Sequence, residues 1–166
     1  MKQLTLCLPI RGDRILLGQK KRGLGTGFWN GFGGKVHSDE VILAAARREL
    51  IEEVGITDGT MTPAGLLTFT FADTGASWQV SVFRLTDFHD NPQESEEMRP
   101  AWYNLDAIPF ATMWPDDELW FPYFLRNELF VGSFTLSHPG GSADRCKIIS
   151  YTLTEVTELP TVTLEH

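Results

Sequence analysis

Cysteine is scarce in this chain, and so is positive charge. Only Cys7 and Cys146 occur, far apart and without CxxC spacing, so the sequence gives no sign of a disulfide scaffold or a thiol redox motif. Free thiols in a reducing compartment are the simpler reading, and a Cys7–Cys146 disulfide stays open. The four histidines, His37, His89, His138 and His166, show no metal-ligand spacing. Lysine and arginine number 14 against 22 aspartates and glutamates, a formal charge of −8. A chain without a basic excess is not a non-specific nucleic-acid or anionic-membrane binder, since both partners select for positive charge. A polyanionic ligand must therefore bring its own cations or meet a local basic patch. No apolar run approaches the roughly 18 residues that a membrane span requires, and the first residues carry no secretory cleavage pattern. The expectation is a cytoplasmic protein.

Enough apolar material is present for a core. The chain has 166 residues, of which 42% are hydrophobic and 11% aromatic, which excludes global disorder. It shows no internal repeat, low-complexity tract or linker, so one domain over 1–160 is expected. Leu164-Glu165-His166 reads as the start of an expression tag. Residues 3–10 read as a strand, and 15–17 as its hairpin partner across a turn at 11–14. Six glycines (23, 25, 27, 31, 33 and 34) fall between Lys20 and Lys35, the composition of an irregular loop or of close backbone approach to a ligand. A helix is predicted over 40–54, with Ser38 or Asp39 as N-cap and Gly55 ending it. Strands follow at 63–71, 78–87, around 101–103, 129–137 and 147–154. A second helix is predicted from Pro115 to about Asn127, and the last turn lies at Pro139-Gly140-Gly141. Strands and helices in this order give an α+β layout.

The first helix carries the chemistry. At 100° per residue Glu49, Glu52 and Glu53 share an arc of about 100°, while Leu43, Leu50 and Val54 form a neighbouring apolar stripe. A solvated acidic face is the plain alternative, with Arg48 pairing Glu52 across one turn. Yet like charges at Glu49 and Glu53, four residues apart, weaken an isolated helix. Acids gathered behind a glycine-rich loop make better sense around a hard cation such as Mg²⁺ or Mn²⁺.

The complete pattern is more specific. Gly34, Glu40, Arg48-Glu49-Leu50, Glu52-Glu53 and Gly55-Ile56 stand at the spacing of the Nudix box, and the chain resembles the Nudix hydrolases. Lys20-Lys21-Arg22-Gly23, Trp29-Asn30-Gly31-Phe32-Gly33-Gly34-Lys35, Glu97-Met98-Arg99-Pro100 and Met113-Trp114-Pro115-Asp116-Asp117 extend the match toward the animal oxidised-purine nucleoside triphosphatases. The resemblance implies a mixed β-sheet core sandwiched between α-helices. It also implies divalent-metal-dependent cleavage of a purine nucleoside triphosphate to the monophosphate and pyrophosphate. By the same resemblance Glu49, Glu52, Glu53 and a Gly33 or Gly34 carbonyl are metal ligands, with Glu97 added from outside the box. Arg48 orients a carboxylate, and Glu40 braces the loop. Glu53 is the expected water activator, with Glu52 or Glu97 as alternatives. Asn30, Asp116 and Asp117 read the base edge and Trp114 stacks on it; Thr5, Lys20 and Phe69 line the same pocket. Lys20 or Lys35 is expected to hold phosphate.

Two adjacent aspartates against a base cannot both ionise easily, so one pKa should rise. Moving that proton between them would let one pocket take both 8-oxo-guanine and 2-oxo-adenine. Capping of the helix after Pro115 is the alternative use of the pair. Leu24 and Trp78 depart from the residues usual in those enzymes, Phe and Met, and both are candidates for the pocket wall. The expected form is a monomer. A broader-specificity triphosphate pyrophosphatase and a non-catalytic nucleotide sensor remain as alternative functions.

Overall fold

The computed structural model describes residues 1–138 and 146–162. The turn expected at Pro139–Gly141 and the expected tag residues Leu164–His166 lie outside them. Strands β1 (Lys2–Arg11), β2 (Arg14–Lys20), β3 (Trp29–Asn30), β4 (Thr60–Phe71), β5 (Ser77–Thr86), β6 (Met98–Asn104), β7 (Leu129–Leu136) and β8 (Ile148–Val156) alternate with helices α1 (Ile42–Val54) and α2 (Asp117–Leu125). The sheet runs β3-β2-β1-β5-β4-β7-β8, and β6 pairs with β2. The β1–β5 and β4–β7 pairs are parallel and the others antiparallel. It is the mixed sheet that the sequence leads one to expect.

The two helices cover opposite faces. Strand side chains alternate between faces, and the core divides accordingly. Cys7, Leu16 and Leu85 pack with Leu50 and Val54 of α1. Their chain neighbours Leu8, Ile15 and Leu17 pack with Trp120, Phe121 and Phe124 of α2. Cys7 and Cys146 are both buried and unlinked, so the disulfide is not formed.

Several boundaries differ from the sequence reading. The β1–β2 hairpin pairs only at its tip, Ile10 with Ile15 and Arg11 with Arg14. One edge of β1 is taken by β5 over Lys2–Pro9. The other is taken by the glycine-rich loop: Thr5 N–H donates to Gly34 O at 2.9 Å, and Cys7 and Phe32 exchange backbone hydrogen bonds at 2.6 and 2.9 Å. Helix α1 is capped by Val41, without a side-chain bond, and not by Ser38 or Asp39. Glu40 closes a turn there instead, its Oε1 accepting from His37 N–H at 2.8 Å. Gly55 ends α1 as expected, left-handed at φ 70°. Helix α2 starts two residues after Pro115, because Asp117 N–H is drawn into a turn with Trp114 O at 3.1 Å. It stops at Leu125, before Asn127 at φ 60°.

The apolar stripe on α1 is displaced as well. Leu43 is 48% exposed, whereas Ala45, Ala46, Leu50, Glu53 and Val54 are buried. The packed face thus overlaps the acidic one, and Glu53 belongs to both. Leu50→Ala is expected to cost about 2–5 kcal/mol, because it opens a cavity beneath a fully buried position; chemical denaturation of the two proteins measures it.

Candidate active site

The glycine-rich loop and α1 meet first at a hydrogen bond to a buried carboxyl. Gly33 N–H donates to Glu53 Oε1 at 2.7 Å. The loop comes this close because Gly33 and Gly34 have no side chains. A Cβ on Gly33 would run into the Thr5 carbonyl, and one on Gly34 would fall 2.6 Å from Glu49 Oε1. Burial pushes the Glu53 carboxyl up from 4.5 to about 8; the Gly33 N–H and Lys20 oppose the rise, while Glu49 and Glu97 add to it.

Arg48 braces the remaining carboxylates. Its guanidinium donates to Glu40 Oε1 at 2.7 Å and Oε2 at 3.1 Å, to Glu49 Oε1 at 2.9 Å, to Glu52 Oε2 at 3.3 Å and to Lys35 O at 3.0 Å. These bonds hold Glu40 down to about 2. Arg48 therefore joins the loop to the helix. Arg48, read from the resemblance as orienting a carboxylate, and Glu40, read as a brace, are in direct contact.

Glu97 stands apart from the helix acids. Its Oε1 accepts from Arg22 Nε at 2.8 Å and Nη2 at 2.6 Å, although it lies near enough to Glu53 to raise its pKa. Among the described residues no three His, Cys, Asp or Glu side chains converge into a preformed metal cluster. The donor chemistry nevertheless suits a hard divalent cation: carboxylate oxygens on one helix, seated against a loop stripped of Cβ atoms.

Beside this ridge lies a cavity of about 420 Å³. Its polar wall contains Thr5, Lys20, Asn30, Lys35, Asp116 and Asp117, and its apolar wall contains Phe69, Trp114 and Trp120. Gly33, Gly34 and Glu53 form the end nearest α1. Every residue expected to touch substrate therefore lines one space. Arg48, Glu49, Glu52 and Glu97 do not line it. Leu24 and Trp78, the two departures, do.

The aspartate pair is the least ordinary chemistry in the molecule. Asp116 and Asp117 are 4% and 3% exposed. Asp116 occupies the N-cap position of α2 but makes no cap bond; its Oδ2 accepts from Trp120 Nε1 at 2.9 Å. Helix capping is thereby overturned as the use of Asp116. Asp117 Oδ2 is buried without a hydrogen-bond partner, as is Thr5 Oγ1. Burial raises both carboxyls, and the adjacent Asp116 drives Asp117 well above the carboxylate range. Asp117 is therefore raised further than Asp116, by burial and by the carboxyl beside it. Trp120 is fully buried, and its Nε1–H ties it to Asp116, a contact the sequence analysis does not name. Its i, i+4 spacing from Asp116 was the available signal.

Comparison with known proteins places the chain in a family. The NUDIX domain model matches residues 1–124. The oxidized purine nucleoside triphosphate hydrolase of Mus musculus is 46% identical over 152 residues, 92% of this chain and 94% of that protein. The Danio rerio protein of the same name is 50% identical over 133 residues, 80% of this chain and 85% of its own length. Among solved structures, a mutator MutT protein from Bacillus halodurans superposes with a TM-score of 0.79 at 27% identity, covering 92% of this chain and 97% of that one. The matched model, the relatives and the glycine loop locked to an acidic helix all lead to one assignment: the chain belongs to the Nudix family of hydrolases.

Proposed function

We propose that the chain hydrolyses oxidised purine nucleoside triphosphates, 8-oxo-dGTP and 2-oxo-dATP, to the monophosphate and pyrophosphate. It would do so as a cytoplasmic monomer with Mg²⁺, or with Mn²⁺ in its place. The observation that carries this reading is the buried Asp116–Asp117 pair on the wall of a cavity whose other end is the Gly33–Glu53 junction. The relatives named for this activity support it. No helix of the described residues is long and apolar enough to cross a membrane.

Glu49, Glu52 and Glu53 would hold the cation. The Gly33 carbonyl and Glu97 are the further donors; Gly34 O is already engaged by Thr5 N–H. When bound, a divalent cation neutralises polyphosphate charge and acidifies an attacking water. Glu53, at the α1 end of the cavity, would accept the proton of that water when ionised. Lys20 and Lys35, on the wall of the cavity, hold phosphate oxygens that a −8 protein would otherwise repel. Trp114 and Phe69 supply flat apolar surface to the base. Asp117, protonated, donates to a base oxygen, and Asp116, fixed by Trp120, accepts from a ring N–H. Exchange of that one proton between them reverses donor and acceptor, so two oxidised purines with different edges fit one pocket.

Rates on dGTP, 8-oxo-dGTP and 2-oxo-dATP test the assignment. Both oxidised substrates are expected to give the higher kcat/KM, and equal values would establish the broad triphosphatase instead. Glu53→Gln is expected to lower kcat by about 100-fold or more with little change in KM; near-normal turnover would remove Glu53 from the chemistry. Asp117→Ala is expected to raise KM for oxidised purines while kcat at saturation is largely kept, read from full kinetic curves. In chelator, the raised Glu53 pKa makes the folded state bind its proton more tightly than the unfolded chain does. Stability should then fall as pH rises from 4.5 through about 8. Thermal melts over that range would show a shallower fall for Glu53→Gln.

A further inference from the structure

A donor that cannot accept stands beside the aspartate pair. Trp120 is fully buried, and neighbouring rings hold its indole. It stacks on Phe130 at 5.4 Å and 22°, packs against Phe121 at 4.5 Å, and meets Phe124 edge-on at 6.5 Å and 87°. The backbone fixes the same turn, because Asp116 O accepts from Leu119 N–H at 3.0 Å and from Trp120 N–H at 3.4 Å. In this setting Trp120 Nε1 lies 2.9 Å from Asp116 Oδ2. An indole N–H donates and never accepts. Oδ2 of Asp116 is thus committed as an acceptor, and a proton taken up by Asp116 must sit on Oδ1. Asp117 Oδ2 is buried without a hydrogen-bond partner. All three residues line the cavity.

Reading two oxidised purines in one pocket requires a proton to move between Asp116 and Asp117, and the two placements are not equivalent. With Asp116 ionised, the indole bond is charge-assisted and roughly twice as strong as a neutral one. With the proton on Asp116 Oδ1 that advantage is lost. We propose that Trp120 is a positioning residue that sets the specificity of the pair, holding Asp116 as the acceptor and leaving Asp117 to carry the proton. This rests on the function proposed above. The shifts of the two acids follow the same order. Burial raises Asp116, and the Trp120 bond is the first influence to oppose it; burial and Asp116 raise Asp117, and Trp120 is the last influence on it. A purine whose edge offers an N–H to Asp116 and an oxygen to Asp117 meets the pair as it rests. A purine with the opposite edge must move the proton from Asp117 to Asp116 Oδ1 and weaken the indole bond. Besides Asp117, the titratable groups around Asp116 are Cys146, whose thiol burial pushes up and the Asp116 charge raises further, and Lys20, Lys35 and Glu53 along the cavity.

The test joins an NMR titration of the substrate-free chain, with labelled aspartate and tryptophan, to kinetics on 8-oxo-dGTP and 2-oxo-dATP. The pair titrates in two steps. In the wild type the Trp120 Nε1–H resonance is expected to move with the lower step, and Asp116 Cγ with it. An indole resonance that follows the upper step, or neither, overturns the proposal without any variant. Trp120→Phe removes the donor. It is expected to raise the Asp116 step by about one to two pH units and to change the ratio of kcat/KM between the two substrates by about ten-fold or more. Phe124→Leu loosens the packing on Trp120 but keeps its N–H, and is expected to leave both the step and the ratio in place. Loss of folded protein cancels from the ratio, since it lowers both rates together. A ratio unmoved in Trp120→Phe, or moved as far in Phe124→Leu, overturns control by the N–H. Failure of the wild type on both oxidised purines overturns the substrate reading instead, and the titration still decides the role of Trp120.

Discussion

A backbone amide pointed at a buried carboxylate holds this site together. The Gly33 N–H reaches Glu53 Oε1 because the loop lies flat against β1 and α1 lies on the same face. Hydrogen bonds to a charged acceptor are stronger than neutral ones, but here the acceptor is also desolvated. The two effects oppose, and desolvation wins: the carboxyl rests near 8.

The same conflict recurs at the far end of the cavity, with another outcome. Asp116 is stabilised by the Trp120 indole, whereas Asp117 has an oxygen with no partner. Burial raises both, and the Asp116 carboxyl beside Asp117 raises it further, so their proton affinities separate. Buried, unsatisfied oxygens cost stability. Thr5 Oγ1 and Asp117 Oδ2 both incur that cost on the cavity wall, where a base with polar edges would relieve it. The whole-chain charge of −8 conceals this arrangement, because many of the acids are already answered by arginine. Arg48 serves three glutamates and Arg22 two.

Much of this was legible along the chain. The α1 acids, the glycine stretch and the adjacent aspartates are local patterns, and local spacing fixes which residues share a helix face or a turn. The strands were legible from their alternation, and Gly55 from its place after the helix. The first caps were not. Glu40 prefers a turn with His37 and Arg48 over extending the helix, a choice made by an arginine eight residues away. Trp120 looked like core because it is core; only the fold shows that its N–H is also the partner of Asp116.

The sequence by itself determined which chemical groups stand near one another: carboxylates on one helical arc, a glycine-rich loop before them, and paired carboxyls beside an aromatic residue. Composition and short-range spacing carry that information. Tertiary structure alone decided which of these groups lost their water. Glu53, Asp116 and Asp117 are ordinary acids in the chain and raised ones in the fold, because burial depends on what packs over them. The pairing of β1 with β5 and of β4 with β7 likewise joins residues from distant segments, and it alone lays Trp78 beside Phe69 along the cavity.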